Sequence, residues 1–256
     1  MIESKKIVVV GASSGLGRSI GIALAHKGAK VAFLARRKDR LDNAVAEAGN
    51  DAIAIACDVT DESSVSGAIE QAAAGLGGID ALLYTTGIGL LSKIENLTVA
   101  QWRSCFDTNI IGASLVTSAA LAHLRESKGV AIYFSSVSAS LTPTWPGLAA
   151  YTVSKAALEK MVEAWNAEHG DIGFTRLNVG DCVGGEGDSR TEFANGFDRS
   201  LVGTAFPIWT QRKLFAGTMM EVQELMTAVE TVMTLGASAH VPVLAVTPRT
   251  HEQLFA

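Results

Sequence analysis

Apolar and polar positions follow two rhythms along this chain. Short aliphatic runs alternate with stretches whose apolar residues recur every three or four positions. Ile7-Val8-Val9-Val10, preceded by Lys5 and Lys6, is the first run and predicts a buried parallel strand. Leu16, Ile20, Ala23 and Leu24 then recur at helical spacing, and Gly28 ends that pattern as a C-terminal cap does. Further strands are predicted at 30–35, 51–59, 79–84, 129–136, 173–179 and 241–246. Between them, Thr60 is the expected N-cap of a helix through Ala74. Thr98 and Gln101 have capping-box spacing and open a long helix to about Leu124. Two more helices are predicted at 151–169 and 219–236. The five prolines (Pro143, Pro146, Pro207, Pro242, Pro248) are placed in loops or at strand ends. The stretch 184–218 is the least regular and is expected to form a lid over the site.

Strands alternating with helices imply one α/β domain over residues 1–256, a Rossmann-like, doubly wound parallel sheet of about seven strands flanked by helices. No linker or repeat interrupts it. The net charge of -5 and pI near 5.6 exclude a nucleic-acid partner on electrostatic grounds, one short basic run aside. No signal peptide and no apolar stretch of membrane-spanning length is read from the chain. Cys57, Cys105 and Cys182 are few and scattered, so reduced thiols and a cytoplasmic location are expected. The histidines are dispersed, and no metal site is expected.

The first strand and helix are joined by Gly11-Ala12-Ser13-Ser14-Gly15-Leu16-Gly17. Glycine lets a backbone turn sharply and approach an anion, and free amides at a helix start point towards it. Strand, glycine turn and helix therefore form a phosphate cradle for a dinucleotide. The second strand ends at Arg36-Arg37, with no carboxylate between Gly11 and Asp39. An acidic residue here would suit the ribose hydroxyls of NAD, whereas a cation suits the 2′-phosphate of NADP. Arg36 supplies a permanently charged fork, with Arg18 and Arg37 able to reinforce it. The alternative is a solvated basic stretch of Arg36, Arg37, Lys38 and Arg40.

Tyr151 and Lys155 lie one helical turn apart, on one face. Ser136 and Ser138 sit at the end of the fifth strand, the edge where doubly wound sheets bind ligands. Asn109 is mid-helix, where an amide has little intrinsic reason to be. A carbonyl receiving hydride needs a proton, and a phenol with a reference pKa near 10 is a weak donor. An ammonium about 4 Å away at an effective dielectric of 20 interacts by roughly 4 kcal/mol. That would lower the phenol by up to roughly three units. A serine hydroxyl can donate to the oxygen as charge builds.

Together with the glycine loop, these residues resemble the classical short-chain dehydrogenase/reductase family over nearly the whole chain. The resemblance implies Tyr151 as general acid-base, with Lys155 binding the nicotinamide ribose and lowering the phenol. Ser136 would polarise the carbonyl, and Asn109 would hold a relay water. Asp58 would meet the adenine amino group. Gly11, Ser13, Ser14, Gly15, Leu16 and Gly17 would form the cofactor loop, with Arg36, Arg37, Val59, Gly87 and Val183 completing the cofactor wall. The chain departs from the family pattern in four places, one of them the carboxyl end, which lacks the family's Gly-rich Val-Asp-Gly-Gly segment. Val10 precedes the first glycine where the family often has Thr. Tyr84-Thr85-Thr86-Gly87 replaces Asn-Asn-Ala-Gly, and Asp181-Cys182-Val183 replaces Pro-Gly. Thr hydroxyls at 85 and 86 are expected to bond a neighbouring strand. Counting from the strand selects Ser136 as the catalytic serine; counting back from Tyr151 by the family's usual spacing selects Ser138.

The leading reading is an NADP(H)-dependent oxidoreductase acting on a small carbonyl/alcohol pair, as a homodimer or homotetramer to which Trp165 contributes. The alternative is a catalytically silent NADP-binding redox sensor or scaffold. Trp145, Phe206, Ile208, Trp209, Met219 and Met220 are candidates for an apolar substrate pocket.

Overall fold

The computed structural model describes residues 1–215, 217–235 and 238–249. Strand β1 (Lys6–Val10) leads through the glycine loop into α1 (Gly15–His26), then β2 (Lys30–Ala35), α2 (Lys38–Ala48), β3 (Ile53–Ala56) and α3 (Glu62–Leu76). The second half runs β4 (Ala81–Tyr84), β5 (Leu90–Leu91), α4 (Val99–Phe106), α5 (Gly112–Ser127) and β6 (Val130–Ser136). There follow α6 (Val137–Ser140), α7 (Ala149–Glu168), β7 (Gly173–Val179), β8 (Gly196–Phe197), α8 (Arg199–Gln211), α9 (Val222–Thr234) and β9 (Val243–Val246).

Seven of these strands form one parallel sheet in the order β3-β2-β1-β4-β6-β7-β9. The chain lays strands to one side of β1, then returns to build the other side from β4. The crevice between the carboxyl ends of β1 and β4 is therefore the ligand position of a doubly wound sheet. The continuous apolar run of β1 follows from burial on both faces. Ile7 and Val9 pack into one core layer with α1 and α9, while Val8 and Val10 pack into the other with α3, α5 and α7. Each such fully buried side chain contributes about 1.5–3 kcal/mol relative to exposure.

Several boundaries differ from the pattern-based expectation. The α3 N-cap is Asp61, whose carboxylate accepts from the Ser64 amide. Thr60 is taken instead by Asp58, whose Oδ1 accepts from both its amide and its hydroxyl. Helix α2 shows weakly in the sequence because it buries only Leu41, Ala44 and Ala48 among charged residues. Thr98 and Gln101 do form the capping box. The helix they open contains a π-helical turn at Asp107–Ile111 that carries Asn109 inwards. Its whole stretch, Val99–Ser127, is long and apolar enough by length and composition to cross a membrane, contrary to the expectation of no such stretch. Three consecutive helical segments fuse to give that length, and Ala113, Val116, Ala120 and Leu124 pack into the core.

The region 184–218, expected to be irregular, contains helix α8 as well as two short 3-10 turns and β8, which pairs with β5. Pro207 lies inside α8 rather than in a loop. A proline forfeits a helical hydrogen bond, and tertiary packing of Ala205 and Trp209 holds this helix. The last described helix, α9, starts at Val222 behind a Glu221–Glu224 capping box, not at Met219. Ala216 in the expected lid, and Gly236 at the expected end of that helix, lie outside the described residues.

Candidate active site

The glycine loop turns where the sheet crevice opens. Gly11 (φ +91°) and Gly15 (φ +58°) occupy the left-handed region that favours glycine. A Cβ on Gly17 would stand 2.5 Å from the Gly11 carbonyl oxygen and 2.3 Å from Thr85 Oγ1, so only glycine allows α1 to start this close to β1. Thr85 secures the wall from β4: its hydroxyl and amide both donate to the Val10 carbonyl, at 2.6 and 2.9 Å. Thr85 thus makes the bond to a neighbouring strand expected of both threonines, and Thr86 Oγ1 does not. Ser14, the N-cap of α1, makes no side-chain capping bond. The first-turn amides of α1 are thereby left for an anion.

From this loop a cavity of about 800 Å³ extends past Ser136 and Tyr151 to Trp145 and Trp209. Gly11, Ser13, Ser14, Gly15, Leu16, Gly17, Arg36, Arg37, Asp58, Val59 and Gly87 all line it. Val183 does not; its amide is turned away to the Met220 carbonyl, and Cys182 and Gly184 line the wall instead. Glycine turn, open amides and a long cavity over the switch point fit an extended dinucleotide, with its pyrophosphate held at Gly15–Gly17.

At the adenosine end the cations sort differently from the expectation. Arg36 is exposed on the cavity rim and has no hydrogen-bond partner among the described residues. Arg37 reaches back to the loop, its Nη2 donating to Ser13 Oγ at 2.8 Å and Ser14 Oγ at 3.3 Å. Its Nη1 meets both Glu192 oxygens at 2.6 Å, and Arg40 Nη1 meets Glu192 Oε1 at 2.6 Å. Arg18 does not reinforce the site; it is buried between Ser189 Oγ and Glu47, at 2.7 Å from each. Glu192 carries no signal in the sequence, and Arg40 reads there only as part of a solvated basic stretch. Their meeting joins residues 152 positions apart, for which no local signal exists.

At the other end, β6 delivers Ser136 and α7 delivers Tyr151 and Lys155 to the same cavity. Ser136 Oγ lies 2.9 Å from Ser138 Oγ, and Ser138, buried behind it, accepts a long bond from Thr152 Oγ1 at 3.4 Å. Burial pushes the Tyr151 phenol up to about 12, against an opposing hydrogen bond with Ser136. The net direction is upward, against the lowering expected from Lys155. The ammonium stands 5.9 Å from the centre of the Tyr151 ring and donates to the Phe134 carbonyl at 2.6 Å. Its own burial pulls Lys155 down to about 8, while Cys105 and Glu159 act in the opposite direction.

Asn109 stands behind the cavity wall rather than in it. Its amide grips the Ile88 backbone, accepting from the amide at 2.9 Å and donating to the carbonyl at 3.1 Å, and donates to Ser154 Oγ at 2.8 Å. Glu159, one turn beyond Lys155, is also buried, accepting from Ser135 Oγ and Asn178 Nδ2 at 2.8 and 2.7 Å. Of the apolar candidates, Trp145, Phe206, Trp209 and Met219 line the cavity. Ile208 and Met220 do not: Ile208 lies on the outer surface of α8, and Met220 is buried with its backbone pairing Cys182 and Val183. Trp165 is stacked on His169 and Phe174 within the chain.

The sequence pattern described as short chain dehydrogenase matches residues 5–184. A short chain dehydrogenase of Pseudocercospora fijiensis is 36% identical over 176 residues, covering 65% of this chain and 55% of the relative. An 11-beta-hydroxysteroid dehydrogenase-like protein of Arabidopsis thaliana is 35% identical over 173 residues, with the same shares. The chain thus spans about half the length of these curated relatives. A 3-ketoacyl-(acyl-carrier-protein) reductase of Brucella melitensis, complexed with NADH, matches the structure with a TM-score of 0.81. It is 25% identical, over 96% of this chain and 98% of that one.

Proposed function

The chain belongs to the short chain dehydrogenase family, and from that premise we propose that it is an NADP(H)-dependent oxidoreductase interconverting a carbonyl and a secondary alcohol. The observation that carries this reading is the convergence of Ser136, Tyr151 and Lys155 on the cavity that the glycine loop opens. When bound, the nicotinamide supplies or accepts the hydride. The chain's own residues supply the rest. Ser136 donates to the substrate oxygen and stabilises developing negative charge. Tyr151 gives that oxygen its proton in reduction and takes it back in oxidation. Lys155, held by the Phe134 carbonyl, binds the nicotinamide ribose. Asn109 fixes the Ile88 backbone beside them.

The preference for NADP(H) rests on Arg36 and Arg37 at the cavity wall with Ser13, and on Arg40, which meets Arg37 at Glu192, since guanidinium forks suit a 2′-phosphate. An apolar ketone suits the far end, where Trp145, Trp209, Phe206 and Phe215 line the cavity. A homodimer or homotetramer is part of the same reading. The silent-sensor alternative draws on one observation, the phenol held at about 12. Loss of NADPH absorbance across a panel of alicyclic, aromatic and acyl ketones decides between the two. Turnover is expected, and Tyr151→Phe should abolish it while NADPH still binds. Turnover unchanged in that variant, or none with any ketone, overturns the catalytic assignment.

A further inference from the structure

The segment 184–197 lies across the cofactor cradle at four points. Ser189 Oγ takes a bond from Arg18 on α1. Thr191 covers Gly15, where a Cβ on the glycine would meet the Thr191 Cα at 3.6 Å. Glu192 is bridged by Arg37 and Arg40, and Phe193 packs against the Tyr151 ring. The strap is thus pinned at the amides, at the cations and at the phenol.

The Glu192 contact has the chemistry of a bound ligand. Two guanidinium groups close on one carboxylate, and the same Arg37 fork reaches Ser13 Oγ and Ser14 Oγ on the glycine loop. Two cations with two hydroxyls alongside make a donor set suited to a phosphate dianion, which a single carboxylate satisfies only in part. The cations hold Glu192 well below the usual carboxylate range, so it remains an anion at neutral pH. Resting on the NADP(H) reading above, we propose that Glu192 determines cofactor specificity: it is a resident counter-anion on Arg37 and Arg40 that a dinucleotide displaces only by bringing its own 2′-phosphate. NADPH then exchanges one anion for a stronger one. NADH has nothing to offer the arginines and leaves the pair in place.

The test compares the unsubstituted chain with Glu192→Gln, a half-exposed position where the amide keeps the shape and loses the charge. Titrations with NADPH, NADH and adenosine 2′,5′-bisphosphate are followed by calorimetry. Removing the competing anion should tighten NADPH and the bisphosphate about tenfold, with NADH changed less than twofold. In an Arg37→Ala/Arg40→Ala background the Glu192→Gln gain should vanish. Equal tightening for both dinucleotides, no change, or weaker NADPH binding each overturns the proposal. The function has its own readout in the unsubstituted chain. If that chain binds NADPH and the substitution changes nothing, only the role of Glu192 falls. If neither chain binds any dinucleotide, both readings fall. An unsubstituted chain that prefers NADH removes the NADP(H) assignment, and Glu192→Gln must then gain NADPH binding or the counter-anion falls too.

Discussion

The Phe193 ring stands edge-on to the Tyr151 phenol, with centroids 4.8 Å apart and planes at 70°. A strap residue therefore covers the proton donor of the proposed reaction. Burial is the dominant cause of the raised phenol, because an apolar surround penalises the phenolate. Phe193→Ala should let water in and bring Tyr151 from about 12 towards its ordinary value near 10. Tyrosinate absorbance against pH checks this. Tyr84 and Tyr133 are fully buried and raised as well, so a first step that moves down, and is absent in Tyr151→Phe/Phe193→Ala, belongs to Tyr151. A step that does not move would show that the cover is not the source of the shift.

The two serines at the end of β6 have separable environments. Ser136 Oγ faces the Tyr151 phenol and accepts from the Ser138 amide at 3.2 Å. Ser138 is enclosed between Ser136 and Thr152. Ser136→Ala should therefore lower kcat/KM by about a hundredfold, the effect of losing one donor to a developing oxyanion. Ser138→Ala should cost less than tenfold, through looser positioning of Ser136. The reverse order in steady-state kinetics would transfer the donor role to Ser138.

Legibility in the sequence follows the range of the interactions. The strands buried on both faces read as unbroken apolar runs, and β2 and β7 fall where the pattern places them. Helix α8 does not read as a helix, because Gly203 and Pro207 interrupt it and Val202 and Ile208 are exposed. In the site, the glycine loop and the Tyr151–Lys155 turn are local and legible. Arg37 outranks Arg36 because of which side chain leaves the end of β2 towards Ser13, a geometric choice that residue type does not encode. Glu192 became part of the site only through a fold that brings it 155 positions back to Arg37.

Gly17 is a packing requirement before it is a binding one. An added Cβ would press on the Gly11 carbonyl, which is backbone and has no rotamer to yield. Overpacking of this kind costs about 1–3 kcal/mol. In a chain of this size Gly17→Ala should lower Tm by roughly 3–10 °C and weaken NADPH binding along with it. Gly203→Ala supplies the control: like Gly17 it is a helical glycine without a positive φ, but nothing lies within 4 Å of its added Cβ. Calorimetric scans showing a loss for Gly17→Ala no larger than for Gly203→Ala would show that contact with the loop is not the source of the cost.

Lys155 ties stability and rate to the same proton. Burial places its ammonium at about 8 in the folded chain, against about 10.4 when unfolded. Between those values the unfolded chain binds the extra proton, so unfolding free energy from this group rises with pH. The penalty is present in full below pH 8 and is relieved towards pH 10, on the order of 3 kcal/mol in all. Lys155→Met should abolish that slope in urea titrations from pH 7 to pH 10. For catalysis the sign is opposite, since the protonated form is the one that binds the ribose and activity declines as pH passes 8. Glu159 holds the lysine proton more firmly. Glu159→Gln should therefore move the alkaline limb of the kcat/KM profile to lower pH. It should do so without moving the limb of Lys155→Met, which has no such proton to lose. A limb that stays in place in Glu159→Gln would confine that buried carboxylate to its bonds with Ser135, Asn178 and Arg176.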